Sequence, residues 1–402
     1  MAPPAPHLVD EILEEIFLHL PTPAALARAS TACASFRRII TERSFLRRFH
    51  KLHQPPLLGF VVDKGDFHPA EEPHPSAPLA RALANGADFS YSFVPMPNNG
   101  LLRPWYARDI RDGRVLLQCS YGIILAVCDP LSRRYVLLPP IPEKLTGRPD
   151  RFVEFEPMLA PIGEDEDEDE TSFKVICTAR YENESKLVAL VFSSVTGQWY
   201  TAASPSWRSF GTVEPSWKRL YRFNYLRGCF YWSSLWCDKL RLLVLDTRKM
   251  KFSTVDLPID LHLINQPRHS RDVCMSTIVD GTKGALEMFT LVGNQGTDSF
   301  YVYHHTTQQS NGESSSEWQQ KNVIALPRRC RHYFTVGATE GFLFLRGVGG
   351  GAQNMWDRDV DFFSLDVKTF ELKKVCRATY YNYPIRVHYY FGYPPSLSIP
   401  SL

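Results

Sequence analysis

Gly113-Arg114-Val115-Leu116-Leu117 opens a layout that the chain uses again and again: an apolar run, a second apolar run, a polar turn and a return run. Here the second run is Ile123 to Cys128, the turn is Asp129-Pro130-Leu131-Ser132-Arg133, and the return is Tyr135 to Leu138. The same order recurs as Gly228-Cys229-Phe230-Tyr231-Trp232, Leu242 to Leu245, Asp246-Thr247-Arg248-Lys249 and Phe252 onward. It recurs once more as Gly341-Phe342-Leu343-Phe344-Leu345, Phe362 to Leu365, Asp366-Val367-Lys368-Thr369 and Phe370 to Leu372. Short aromatic and β-branched runs bounded by Gly, Asp, Pro and Thr read as strands joined by hairpins.

The three glycines stand at 113, 228 and 341, and halving their interval gives a period of about 57 residues. The halfway positions carry Ser172-Phe173-Lys174-Val175-Ile176, with a return at Val195-Thr196-Gly197-Gln198-Trp199, and Gly284-Ala285-Leu286-Glu287-Met288-Phe289. One period earlier stands Leu57-Leu58-Gly59-Phe60-Val61-Val62. Six periods fill residues 57–402. Repeats of this size with several strands each are the mark of a β-propeller, here six-bladed. Landmarks of this kind also admit five or seven blades. A pair of β-sandwiches is the alternative fold, and regular spacing speaks against it.

Residues 1–53 are of another kind. Leu8, Ile12, Leu13, Ile16, Phe17 and Leu20 recur with helical spacing, and Asp10, Glu11, Glu14 and Glu15 take the remaining face. Pro21 stops that helix, and Thr22-Pro23 caps and starts the next. Further stripes run through Leu26, Ala29, Ala32 and Cys33, then through Phe36, Ile39 and Ile40, followed by Phe45, Leu46 and Phe49. So short a segment of three helices cannot bury all of these groups by itself. Part of the apolar stripe must face another surface.

Leu8-Val9-Asp10-Glu11-Ile12-Leu13-Glu14-Glu15-Ile16-Phe17-Leu18-His19-Leu20-Pro21, followed by Leu26 to Ser30 and Cys33-Ala34-Ser35-Phe36-Arg37-Arg38-Ile39-Ile40, resembles an F-box. Val9 stands where that family has proline, and Phe36 where it commonly has tryptophan. With Asp129 to Tyr135 and Leu138-Pro139-Pro140-Ile141-Pro142, the whole chain is similar to plant F-box proteins that carry an F-box-associated, kelch-like propeller. The resemblance implies a multidomain α plus all-β protein: an F-box over residues 1–53 and a substrate-recognition propeller over 57–402. It implies a substrate receptor of an SCF-type ubiquitin ligase, with a Skp1-type adaptor, and through it cullin, as partner of Leu8, Ile12, Ile16, Leu20, Pro21, Leu26 and Cys33. Phe36, Ile39 and Ile40 would pack the helices together. The other reading of the helices is a cap on the following domain; the other functional reading is a ligase-independent scaffold with a degenerate F-box.

Forty-five Lys and Arg against 43 Asp and Glu give no overall reason to expect nucleic acid or an anionic membrane as partner. The balance hides unlike parts. Residues 1–20 carry only acids, residues 21–53 are basic, and Glu164 to Glu170 is an unbroken carboxylate run that reads as a solvated loop. The N-terminus has no signal-peptide pattern and no apolar run spans a bilayer, so an intracellular protein of cytoplasm and/or nucleus is expected. Nine cysteines, none in a C-x-x-C pair, read as free buried thiols.

No histidine spacing suits zinc, and no G-x-S-x-G elbow is present, so neither a metal, a cofactor nor a catalytic residue is assigned. Gly347-Val348-Gly349-Gly350-Gly351 lacks the Lys-Ser/Thr of a phosphate loop and reads as an inter-strand loop. Aromatics near the loops, Trp105, Tyr106, Trp207, Trp217, Trp236 and Trp356, are candidate anchors for a protein substrate. The competing role for each is to plug a gap between blades. An enzyme or sugar-binding propeller would require paired acids or metal ligands at the channel.

Overall fold

The computed structural model describes residues 8–62, 65–96, 105–119, 123–146, 152–160, 172–181, 186–210, 221–236, 239–256, 276–280, 286–294, 299–309, 316–339, 341–349, 358–380, 386–393 and 402. The chain starts with four helices, α1 (Asp10–Leu18), α2 (Pro23–Ala32), α3 (Ala34–Ile40) and α4 (Arg43–Leu52), rather than the expected three. The local chemistry shows why. Thr22 Oγ1 accepts from the Ala25 amide at 3.1 Å with Pro23 opening α2, as read from the sequence. Cys33 is extended, and its Sγ accepts from the Phe36 amide, so α2 and α3 are separate. Thr41 ends α3, and extended Glu42 splits the third stripe into α3 and α4.

Leu13, Phe17, Leu26, Ile39, Ile40, Phe45 and Phe49 form the core of these helices, and the Phe36 ring meets Phe17 edge-on at 5.0 Å. Phe36, Ile39 and Ile40 therefore pack the helices together as expected. The acidic face of α1 is matched from within: Arg38 pairs with Asp10 at 2.5 Å, and Arg48 with Glu14 at 2.9 Å and with Glu15. The charge asymmetry of residues 1–53 is thus an internal complementarity.

Six sheets follow. The strands β1 (Leu57–Val62) and β2 (Phe67–Pro69) precede a helix, α5 (Ala77–Gly86), that packs on both. Four-stranded meanders then succeed one another. The first is β3 (Trp105–Arg111), β4 (Arg114–Cys119), β5 (Leu125–Asp129) and β6 (Arg134–Leu137). The second is β7 (Phe152–Leu159), β8 (Lys174–Tyr181), β9 (Leu187–Ser193) and β10 (Gln198–Ala203). The third is β11 (Tyr221–Leu226), β12 (Cys229–Trp236), β13 (Lys239–Asp246) and β14 (Lys251–Asp256). The fourth is β15 (Ser276–Asp280), β16 (Leu286–Asn294), β17 (Ser299–Gln309) and β18 (Ser316–Ala325). The fifth is β19 (Cys330–Thr339), β20 (Phe342–Gly349), β21 (Arg358–Asp366) and β22 (Leu372–Tyr380). The last strand, β23 (Val387–Phe391), returns to pair with β1, giving the sixth sheet the order β2-β1-β23. The fold is a six-bladed β-propeller whose ring is closed by joining its two ends.

The hydrophobic core is a ring of interfaces between blades. One cluster joins the fifth sheet, the closing sheet and the first, and others join successive pairs of blades. Middle strands are covered on both faces, so β5 and all but the last residue of β9 are buried throughout. That is why they read as unbroken apolar runs rather than as alternation. The landmark glycines share one place, the turn between first and second strand. Asp112-Gly113 and Arg227-Gly228 both have positive φ at each residue, as a two-residue type I′ turn requires.

The repeated Asp turns are equivalent too. Asp129 Oδ1 accepts from the Leu131 and Ser132 amides, Asp246 Oδ1 from Arg248 and Lys249, and Asp366 Oδ1 from Lys368 and Thr369. Gly347 and Gly349 lie in β20, not in a loop; a Cβ on Gly347 would stand 2.5 Å from Cys330 Sγ. The Glu164 to Glu170 run, and most of Ser310 to Ser316, fall outside the described residues.

Candidate functional site

Two surfaces and one buried network stand out. On α1, Leu13, Phe17 and Leu18 point inward, whereas Ile12 (48% exposed) and Ile16 (46%) are bare at helical spacing, and Leu8 (41%) and Val9 (56%), just ahead of the helix, extend the bare apolar stripe. Pro21 and Cys33 are exposed as well, and Leu20 is half-buried against the helical core. Leu26 is the exception among the expected contact residues. It is fully buried, because α2 packs it into the centre of the helical core, and it has no surface to offer a partner.

The second surface follows from strand direction. β23, β3, β7, β11, β15 and β19 are the innermost strands of their sheets. Arg108 donates to Phe155 O and Arg111 to Leu159 O, so β3 and β7 run the same way around the axis. Such strands start on one rim and end on the other. The rim where they end carries the tight turns, such as Arg111 to Arg114 and Leu226 to Cys229. It also carries the start of β1, and the four helices attach there: the Tyr393 ring stacks on His50 at 3.7 Å, and its hydroxyl donates to His53 O. Burial pushes the Tyr393 phenol up. On the opposite rim β10 and β14 end and β11 and β15 begin.

Near the axis, Glu156 binds three blades together. It accepts from Trp232 Nε1 at 2.8 Å and from Arg386 at 3.2 Å, while Arg180 stands 3.6 Å from Glu154. These carboxylates are held by guanidinium and indole groups, which is the chemistry of a structural network and not of an acid/base pair. Among the described residues no group of three or more His, Cys, Asp or Glu side chains is placed to hold a metal. Burial pushes the thiols of Cys128, Cys177 and Cys376 up, away from the nucleophilic thiolate. Five of the seven described cysteines are buried, one is intermediate and Cys33 is exposed.

The aromatic candidates divide. Trp105 and Trp207 are buried and cannot anchor a partner. Trp105 packs in the core between closing and first sheets, with Nε1 donating to Val94 O, and Trp207 fills the gap between the second and third. Tyr106 is half-buried at the start of β3. Trp217 and Trp356 lie outside the described residues, as does the side chain of Trp236.

With this geometry in view, comparison with known proteins decides the family. A family model of the F-box domain matches residues 6–48. A second, described as F-box protein AT5G49610-like, beta-propeller, matches residues 106–394, more than two thirds of the chain. The chain belongs to this F-box protein family. The F-box match covers α1 to α3 and the first part of α4, and the combination of F-box and propeller is typical of non-catalytic adaptor proteins. No curated protein matches the chain.

Similar solved structures include a nidogen/laminin complex (7% identity, 82% of this chain, 97% of that chain, TM-score 0.37). They also include the GH93 α-L-arabinofuranosidase of Fusarium graminearum with arabinobiose (12% identity, 69% and 79%, TM-score 0.34). A third is the propeller domain of the Trilobed protease from Pyrococcus furiosus (8% identity, 70% and 85%, TM-score 0.33). Likeness this distant carries no argument about the site. Among the described residues, no helix is long and apolar enough to cross a membrane.

Proposed function

We propose that this F-box protein is the substrate-receptor subunit of an SCF-type ubiquitin ligase, acting inside the cell. The observation that carries the reading is the bare stripe Leu8, Val9, Ile12 and Ile16, backed by a helix whose other side is fully packed. An exposed apolar helix face suits insertion into the groove of a Skp1-type adaptor, and through it attachment to cullin. Pro21, Cys33 and the half-buried Leu20 extend that contact; Leu26 supports it from within. The propeller holds a protein substrate on the rim opposite the F-box, with Tyr106 near that rim. The chain performs no bond chemistry. Its contribution is proximity, which turns transfer from a charged E2 into an effectively intramolecular step.

Phe36 fills its place with a ring packed edge-on to Phe17, so its departure from tryptophan leaves the helical core intact and favours the ligase over the scaffold reading. Capture by recombinant Skp1 tests the proposal. Wild type is expected to be retained, and an Ile12→Asp, Ile16→Asp double variant to lose binding by about a hundredfold, since two charges would enter an apolar groove. Equal retention of the two proteins would sink the idea.

A further inference from the structure

Among the described residues of the rim opposite the F-box, a strongly charged place lies where β18 passes into β19. Pro327-Arg328-Arg329-Cys330-Arg331-His332 puts three arginines in four positions, and all three are exposed, as is His332. The segment is held firmly from below. Tyr333, itself buried, donates its hydroxyl to Pro327 O at 2.8 Å, Leu326 N donates to Phe300 O at 2.9 Å, and Cys330 is packed against Gly347. The Arg329 guanidinium lies 4.8 Å above the Phe363 ring, and that of Arg346 lies 4.8 Å above Phe334.

Some exposed arginines of this chain have carboxylate partners: Arg38 with Asp10, Arg48 with Glu14 and Glu15, Arg377 with Asp361. Arg328, Arg329 and Arg331 form no ion pair with a described carboxylate. Of the acids at this end of β21, Asp361 pairs with Lys374 at 2.8 Å and Arg377 at 2.8 Å, and Asp359 accepts from the Thr379 hydroxyl at 2.9 Å. Three like charges gathered on one firmly held turn make a concentrated positive field that attracts anions.

We infer that the Arg328–Arg331 turn is a docking site for an anionic peptide segment of the substrate. The proposal rests on the substrate-receptor reading above and names the chemistry of what that rim takes. Arginine's planar fork donates two parallel N–H groups to a carboxylate or a phosphate, so a run of acidic residues and a phosphorylated segment offer the same oxyanion chemistry.

Fluorescence anisotropy of the full chain in complex with Skp1 separates the possibilities. The probes are a fluorescein-labelled peptide alternating Glu with Gly, one alternating phosphoserine with Gly, a neutral peptide alternating Gln with Gly, and a single-stranded oligonucleotide of matched charge. One or both anionic peptides are expected to bind at least about tenfold tighter than the neutral one, and the tighter of the two identifies the oxyanion. An Arg328→Ala, Arg331→Ala variant should weaken that binding by about tenfold or more, with Arg→Lys at both positions restoring only part. Its melting temperature and Skp1 capture should not change. Equal binding of anionic and neutral peptides, full binding by the Ala variant, or tighter binding of the oligonucleotide through the same arginines would each overturn the proposal. Skp1 capture is read separately, so a failed F-box reading and a failed docking site give different results.

Discussion

Leu26 and Ile12 show how the same residue type can serve opposite ends. Both sit on helical stripes that look alike in sequence, yet Leu26 is fully buried and Ile12 is 48% exposed. Spacing announces that a helix has an apolar face; which of two apolar flanks meets the core depends on where α3 and α4 lie. Leu26→Ala is therefore expected to destabilise the F-box by about 2–5 kcal/mol through a cavity, with Skp1 binding lost only as the helices unfold. The Ile12→Asp, Ile16→Asp pair should leave the melting temperature unchanged while abolishing capture. Thermal unfolding followed alongside a Skp1 pulldown distinguishes the two. The tryptophans teach the same lesson. A large ring near a predicted loop signals an anchor or a plug with equal force, and for Trp105 and Trp207 the neighbouring blades made it a plug.

At the scale of elements, the hairpin turns were the most legible part of the chain. Asp, the next three residues and a left-handed residue (Arg133, Met250 and Phe370 all have positive φ) fold identically in three blades, because an Asx turn is written in local sequence. In the third blade, the Lys249 and Arg248 amides hold the Asp246 carboxyl below the usual carboxylate range. Its folded-state pKa lies below the unfolded value, so its stabilisation is present at neutral pH and is lost as pH falls through the folded pKa, beneath about 3.9. An Asp246→Ala protein should melt below wild type at pH 7, and the gap should narrow progressively in melts taken below pH of about 4. A gap that stays constant with pH would assign the effect to packing instead. Less legible were the break between α3 and α4 and the strand placement of Gly347. The first depends on one extended residue, the second on the approach of Cys330 from a neighbouring strand.

The whole molecule is held by contacts between residues far apart in sequence. β23 closes the ring on β1, and Arg386, just before β23, reaches Glu156 on β7, which also binds Trp232 of the third sheet. Glu156→Ala is expected to cost about 3 kcal/mol, because it strands a buried indole N–H and a partly buried guanidinium. Glu156→Gln, which keeps an acceptor for Trp232, should cost less. Chemical denaturation of the two variants gives that order, and equal stability of Glu156→Ala with wild type would remove the network from the account of closure. The same architecture separates two tasks in space. The F-box and its Tyr393 joint sit at the rim of tight turns, and the Arg328–Arg331 turn sits at the other rim.

What the sequence determined by itself is local: the period of the repeat, the type and place of each turn, the amphipathic helices and the balance of charge within residues 1–53. Each of these is set by backbone preference or by side chains a few positions apart. Only the tertiary structure decided which apolar residues are bare, which tryptophans are interior, how the ends of the chain meet and which rim faces away from the F-box. These depend on pairings such as Glu156 with Arg386 and Tyr393 with His50, formed between segments that no local pattern brings together.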